Sequence, residues 1–192
     1  MKMNNISFGA KLPVATCQIY NKKTKEFDSA TVFEHDCKDS FDVDYFRNAP
    51  GKWKYQREIA EDAEMKFYYP GIFTNSRFYS IENEDQIPIR MIEFDKYDDC
   101  ADVQLFETKQ RNKYKYTGSN LLATIAKEGL KEGKTSLIIS DPVESAMKFY
   151  EEKCGFKRII GTPQLELDAK GMEDLISKTE NKTQGNIIDL RG

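Results

Sequence analysis

Residues 12–20 alternate loosely between apolar and polar, the two-residue period of a half-buried strand. A polar run over 21–25 follows, and residues 30–34 resume the alternation, so the two segments are expected to pair as a hairpin. Residues 39–50 are ambiguous, with Phe41, Val43, Tyr45 and Phe46 fitting one short helix. From Gly51 a stronger helical period carries Trp53, Ile59, Ala63 and Phe67 among charged residues and stops at Pro70 and Gly71. Three strand-like runs come next, 77–82, 88–94 and 101–107, separated by polar breaks short enough for an antiparallel meander.

Residues 119–131 read as a helix, with Leu121, Leu122, Ile125, Ala126 and Leu130 recurring at spacings of three and four before Gly133 ends it. The brief all-apolar run Leu137, Ile138, Ile139 suits a strand buried on both faces in a parallel region. Asp141 and Pro142 are expected to open the next helix as cap and first residue, and Gly155 to close it. Beyond it the pattern predicts a strand at 164–167, a short helix at 171–177 and a last strand at 186–190. The order gives a mixed α/β (α+β) class, a twisted mixed sheet with helices on both faces, within a single domain over 1–192.

Composition narrows the function. The 192 residues are 39% hydrophobic and 32% charged, an ordinary soluble balance. Lysine and arginine total 29 against 32 acidic residues, so no basic field draws nucleic acid. There is no apolar run for a membrane span and no leader-like start, which leads to an expectation of a cytoplasmic chain with free thiols at Cys17, Cys37, Cys100 and Cys154. Asn5–Ile6–Ser7 and Asn181–Lys182–Thr183 are then chance matches to a glycosylation acceptor. His35 is the sole histidine, which rules out zinc held by paired imidazoles, and it reads as a surface or strand-end residue. Lys52, Lys54, Arg57 and Lys66 sit among acids and read as a solvated helix face.

The candidate chemistry centres on the loop Lys113, Tyr114, Lys115, Tyr116, Thr117, Gly118, Ser119, which runs from a strand into an apolar-periodic helix. A helix start offers unpaired N–H groups and partial positive charge, Gly118 admits close approach, and Lys113 and Lys115 add charge, a sensible cradle for a pyrophosphate. A solvated tight turn is the plain alternative. No Lys-Ser/Thr pair follows Gly118, which disfavours a P-loop.

In this order of elements, Gly118–Ser119–Asn120–Leu121–Leu122 resembles the end of the Arg/Gln-x-x-Gly-x-Gly/Ala loop of the GNAT acyl-CoA N-acyltransferases. The segment from Ala146 to Phe156, with Tyr150, Glu151, Gly155 and Phe156, resembles that family's later Ala-x-x-hydrophobic-Tyr-Glu-x-x-Gly-Phe segment. The likeness covers roughly residues 76–161. It implies a GNAT-like fold and transfer of an acetyl group from acetyl-CoA to a primary amine by direct attack. Tyr116, Thr117, Gly118 and Ser119, with Lys113 and Lys115, would take the diphosphate, and Leu105, Phe106 and Glu107 the pantetheine arm. Tyr150 would protonate the departing thiolate, and Asp102 or Glu93, with Glu107 as a further choice, would take the amine proton. Lys113 stands where the motif has Arg or Gln, Tyr116 where it has its first glycine, and Val143 where many members carry asparagine. A GNAT-shaped protein that binds acyl-CoA or a partner without turnover is the alternative reading, and a plain interaction domain a third. The acceptor is left open between a small molecule and a protein amine. Aromatics around Tyr68, Tyr69, Phe73, Phe78 and Tyr79 either line it or pack the core, and residues 1–50 shape either its side or a homodimer contact.

Overall fold

The computed structural model describes residues 11–38, 40–108 and 113–191. The opening residues read for a leader, Asn5–Ile6–Ser7 and Asp39 lie outside them. The hairpin forms as expected but longer, from β1 (Leu12–Asn21) and β2 (Phe27–His35), because Val14, Cys17 and Ile19 of β1 and Ala30 and Val32 of β2 all reach one core. The ambiguous stretch is helix α1 (Ser40–Arg47), which buries Val43 and Phe46. Helix α2 (Gln56–Tyr68) starts later than its period suggested. Gly51 sits at φ +119, outside helical space, and the first helical turn closes on the Tyr55 carbonyl. Gln56 ties the two helices, donating from Nε2 to the carbonyls of Phe46, Arg47 and Ala49 at the frayed end of α1.

The meander is present as β3 (Ser76–Asn83), β4 (Pro88–Lys96) and β5 (Cys100–Thr108), antiparallel throughout. A two-residue strand β6 (Tyr114–Lys115) leads into α3 (Thr117–Lys131), followed by β7 (Ser136–Ile139), which runs parallel to β5 as its apolar run suggested. The helix expected from Asp141 is different. Val143 is extended at φ −68, ψ 136, a 3₁₀ turn covers Glu144–Ala146, and Phe149–Cys154 is π-helical up to Gly155 at φ +91. The turn starts only at Glu144, with extended Val143 before it, so Asp141 does not sit at the capping position. Strands β8 (Lys157–Arg158) and β9 (Leu165–Asp168) follow. The C-terminal helix is twice the expected length, α4 (Ala169–Thr183), opened by Asp168 accepting from the Gly171 amide at 2.7 Å. The last strand shrinks to β10 (Ile188–Asp189).

One sheet results, in the order β10-β1-β2-β3-β4-β5-β7-β9-β8, with β6 also on the outer edge of β1. Among the described residues only the β5–β7 pair is parallel. Helices α1 and α2 cover one face over Phe46, Ile59, Ala63, Phe78 and Met91, while α3 and α4 cover the other over Ile92, Phe94, Leu121, Leu122 and Ile125. Helix α3 lies between sheet and α4, so several of its polar residues are buried: Asn120 Nδ2 donates to the Gln18 carbonyl, while its Oδ1 has no partner among the described residues, and Thr124 Oγ1 donates to the Asn120 carbonyl.

Glu128 on α3 is the most connected of these. It accepts from Tyr79 (2.6 Å), Arg191 (2.9 Å) and Lys96, which ties β3, β4 and the C-terminal residues to the helix. Burial alone would raise its carboxyl pKa, but the hydrogen bonds from Arg191, Lys96 and Tyr79 outweigh burial and hold it below its ordinary value. Glu128→Ala is expected to destabilise by about 2 kcal/mol, less than the roughly 3–5 kcal/mol of a fully buried pair because Lys96 and Arg191 regain water. Since the folded pKa is depressed, protons favour the unfolded chain. This stabilisation is complete above the ordinary glutamate value and fades as pH falls through the folded one. Urea titrations of parent and variant should converge in acid; a constant gap between them down to about pH 3 would refute the assignment.

Candidate functional site

Strands β5 and β7 pair only from Cys100 to Val103 against Ser136 to Ile139. At that point β5 carries a bulge: Glu93 and Phe94 of β4 face Leu105 and Val103, leaving Gln104 as the extra residue. Ser140, just past β7, donates its amide to the Val103 carbonyl at 3.3 Å, and the chain then turns away into Pro142. Residues 104–108 continue along β4 with their other edge unpaired by any strand among the described residues. A bulge increases local twist, so β5 and β7 splay from here, and the backbone of Leu105, Phe106 and Glu107 faces the gap.

Across the gap stands the π-helical turn with Tyr150, 4% exposed, its ring against Phe149, Phe156 and Phe106 at centroid distances of 5.4, 5.9 and 6.3 Å. Burial, with Cys154 adding and Arg90 opposing, pushes its pKa to about 12, so the phenol keeps its proton at neutral pH. Cys154 is the buried helix-end thiol expected, its pKa pushed to about 12 by burial.

The N-terminus of α3 closes one end of the same cluster. Tyr116 adopts φ 68, ψ 0, the left-handed conformation, so the residue at the motif's first glycine position takes up a glycine-like backbone at a strain of about 1–2 kcal/mol. The loop is therefore not reshaped by the tyrosine. No side chain caps the helix: Ser119 Oγ turns back to the Tyr116 carbonyl at 3.1 Å, and the amides of Gly118 and Ser119 have no acceptor among the described residues. Lys113 and Lys115 are exposed, stacked over Tyr114 and Tyr20. A Cβ built on Gly118 would lie 2.9 Å from Phe149 Cζ and 3.1 Å from Arg90 Cζ. Glycine is thus required here by contact rather than by φ.

Arg90 was not legible as a site residue. Its guanidinium lies 4.5 Å from the Phe106 ring centroid, beneath Gly118, and has no hydrogen bond or ion pair among the described residues; Nε is wholly buried. Burial pushes its pKa down to about 10, although Tyr150, Glu107 and Cys154 favour its charge. A shielded cation without a partner beside an uncapped helix start is a ready place for an anion or carbonyl oxygen.

The three carboxylates proposed as bases separate. Asp102 is held by Ser140 Oγ at 2.7 and 2.8 Å, with Gln164 donating to Ser140 at 3.1 Å. Glu107 accepts from the Tyr55 amide at 3.0 Å, anchoring the start of α2. Glu93 lies beneath α2 beside Asp62, 6% exposed, and its carboxyl pKa is pushed up to about 9 by burial first and then by Asp62. It lines a cavity together with Asp62, Phe73, Asp95, Tyr97 and Gln104. Of the aromatics, Phe73 thus faces a cavity, Phe78 and Tyr79 are core, and Tyr68 and Tyr69 are exposed. Two readings are corrected. His35 ends β2 but is fully buried, with Nε2 2.9 Å from Ser80 Oγ and Nδ1 3.3 Å from Asp42. Lys66 is buried as well, donating to the Ser76 carbonyl.

No family model and no curated protein matches this sequence. Solved structures do match its fold. A GNAT-family acetyltransferase structure from Desulfovibrio desulfuricans superposes with a TM-score of 0.53 at 11% identity, over 73% of this chain and 99% of the other. The toxin AtaT, in a tyrosine-to-phenylalanine form bound to the C-terminus of antitoxin AtaR and acetyl-CoA, gives 0.55 at 13% identity, over 78% and 99%. FdhC, a nucleotide-linked sugar GNAT, gives 0.55 at 10% identity, over 83% and 93%. The chain has the GNAT fold.

Gly118→Val is expected to reduce stability by about 1–3 kcal/mol, since Phe149 and Arg90 must give way. Tyr116→Gly should stay within about 1 kcal/mol of the parent, the relief of strain offset by a looser unfolded chain. Chemical denaturation of both variants checks the pair, and equal effects at the two positions would contradict the contacts described.

Proposed function

We propose that this protein is an N-acetyltransferase that moves the acetyl group of acetyl-CoA to a primary amine by direct attack, with no acyl-enzyme. The observation that carries the reading is the splay at the Gln104 bulge, where a free strand edge meets an uncapped helix start, an unpartnered buried arginine and a protonated tyrosine. These residues suit the donor. The Gly118 and Ser119 amides would take the diphosphate, with Lys113 and Lys115 adding screened attraction through the Tyr116–Thr117 loop. The backbone of Leu105, Phe106 and Glu107 would pair with the amides of the pantetheine arm as an added strand does. Arg90 would offer its free N–H groups within the slot.

The amine nitrogen forms a bond to the thioester carbonyl carbon, and the C–S bond then breaks. Tyr150 gives its phenolic proton to the sulfur as it leaves. The proton shed by the attacking nitrogen goes to the Glu93–Asp62 pair once the incoming ammonium has displaced the proton that the pair holds at neutral pH; Asp102, already bonded by Ser140, is the less available base. No histidine or cysteine is needed, in keeping with a buried His35 and buried Cys154.

Tyr150→Phe isolates one oxygen while keeping the ring. Acetyl-CoA affinity should stay within a few-fold, while kcat for thiol release with a verified amine falls about 100-fold, the low end for general acid catalysis because thiolate leaves readily. Full turnover by the variant would remove Tyr150 from the chemistry. Acetyl-CoA binding without thiol release on any amine would favour the alternative of a non-catalytic acyl-CoA binder.

A further inference from the structure

We propose that the cavity under the β4–β5 bulge is the acceptor site for a small di- or polycationic amine, with one ammonium seated between Glu93 and Asp62 and a second directed to Asp95. The proposal rests on the acetyltransferase reading above, but its binding step stands by itself.

Three observations converge on it. The cavity is small, ≈ 330 Å³, at the low end of ligand pockets, and three carboxylates line it, Asp62 from α2 and Glu93 and Asp95 from β4. Glu93 is 94% buried, and its Oε2 has no hydrogen-bond partner among the described residues. A shielded carboxyl oxygen gives up water for nothing unless a donor arrives, so the missing group is a hydrogen-bond donor. The Asn75 and Gln104 amides also line the cavity, while the hydroxyl and ammonium donors nearby are committed. Ser76 Oγ and Tyr97 Oη donate to Asp95 at 2.8 and 3.3 Å, and Lys66 of α2 donates to the Ser76 carbonyl. No lysine or arginine forms an ion pair with these acids among the described residues, Lys66 acting on Glu93 only from a distance. At its mouth Ile72, 75% exposed, and Phe73 provide apolar surface suited to the methylenes between two ammonium groups. An amino acid, a sugar nucleotide or a phosphorylated amine would bring a further negative charge among three carboxylates, and the site disfavours each of them.

The cavity also borders the reacting end of the slot. Gln104, the extra residue of the bulge, lines it, and Leu105 to Glu107 continue directly into the edge assigned to the donor. An amine held on Glu93 therefore approaches the same stretch of β5 from the α2 face.

The charge balance supplies a signature that simple surface attraction lacks. Glu93 is pushed up to about 9 by burial, Asp62 and Asp95, with Lys66 opposing; Glu58 and Glu61 on α2 raise Asp62 in turn, where burial is again the first cause. The pair accordingly holds a proton at pH 7.5, and an arriving ammonium displaces it.

The test is calorimetric titration of the full chain, without acetyl-CoA, with 1,3-diaminopropane and spermidine in two buffers of different ionisation enthalpy at pH 7.5. One-to-one binding with release of up to one proton is expected. Affinity should fall at least tenfold in Glu93→Gln and in Asp62→Asn, which also lose the proton release, and by less in Asp95→Asn. Lysine, a zwitterion carrying the same side-chain amine, should bind at least tenfold more weakly than the diamine. Absence of diamine binding, equal binding of lysine, or affinity unchanged in both Glu93→Gln and Asp62→Asn would overturn the assignment. A parallel assay of acetyl-CoA consumption separates the two claims. Diamine binding with proton release but no acetylation would support the cavity and sink the acetyltransferase reading. Acetylation of simple monoamines as fast as diamines would support that reading and sink the cavity's role.

Discussion

The one-residue bulge at Gln104 is the constraint around which the rest of this structure is arranged. Had β5 run on in register, its pairing with β7 would have continued past Val103 and closed the sheet. The extra residue bends the strand instead, and Pro142 prevents the chain after β7 from following it. An unpaired strand edge inside a sheet is unfavourable unless something covers it. Here the π-helical turn with Phe149 and Tyr150 stands over the opening, and Arg90 and Phe106 form its floor. The widened turn fits this duty, since π-helical segments recur where a helix must offer side chains to a site.

The chain spends stability elsewhere to keep this gap. Tyr116 sits in a backbone conformation suited to glycine, Arg90 is half-buried with its shielded Nε unbonded, and Glu93 is coupled to a second carboxyl. Each is unfavourable alone, and all three lie around the bulge or the start of α3. The compensation is remote. Helix α3 is buried almost end to end, and Glu128, near its far end, gathers Tyr79, Lys96 and Arg191. The C-terminal helix exists to cover α3, and β10 returns to the opposite sheet edge to hold it there. A helix fixed at one end by charge and along its length by apolar burial can leave its other end uncapped.

The sequence was legible where periodicity is strong and local. The β3–β5 meander, the buried α3 and the parallel β7 follow from apolar spacing, and Tyr150 from a motif that the structure places at the splay. What escaped was long-range. The period of α2 ran back to Gly51, whose positive φ the pattern could not show, and Asp141 read as a cap although Val143 is extended and the turn starts only at Glu144. Arg90 looked like an ordinary strand arginine, because nothing local says that Gly118 will press on it. Lys66 and His35 looked solvated for a similar reason: their partners Ser76, Ser80 and Asp42 are supplied by other elements. Only Asp168 with Gly171 was a missed local signal, a cap that would have given α4 its true start.

The two faces of the sheet differ in charge around the same stretch of β5. On the α3 face stands an unpaired cation, Arg90, with an uncapped helix start; on the α2 face stand Asp62, Glu93 and Asp95. Neither group forms an ion pair among the described residues, and the strand between them keeps them from pairing with each other. A transfer reaction uses such an arrangement directly. On the function proposed above, an anionic donor would be drawn to one face and a cationic acceptor to the other, and they would meet only where the sheet is split. A single mixed pocket of the same residues would collapse into internal ion pairs, with no field left for either substrate. Keeping the charges apart costs burial energy in the free protein, and on the proposed function the two substrates would regain it on binding.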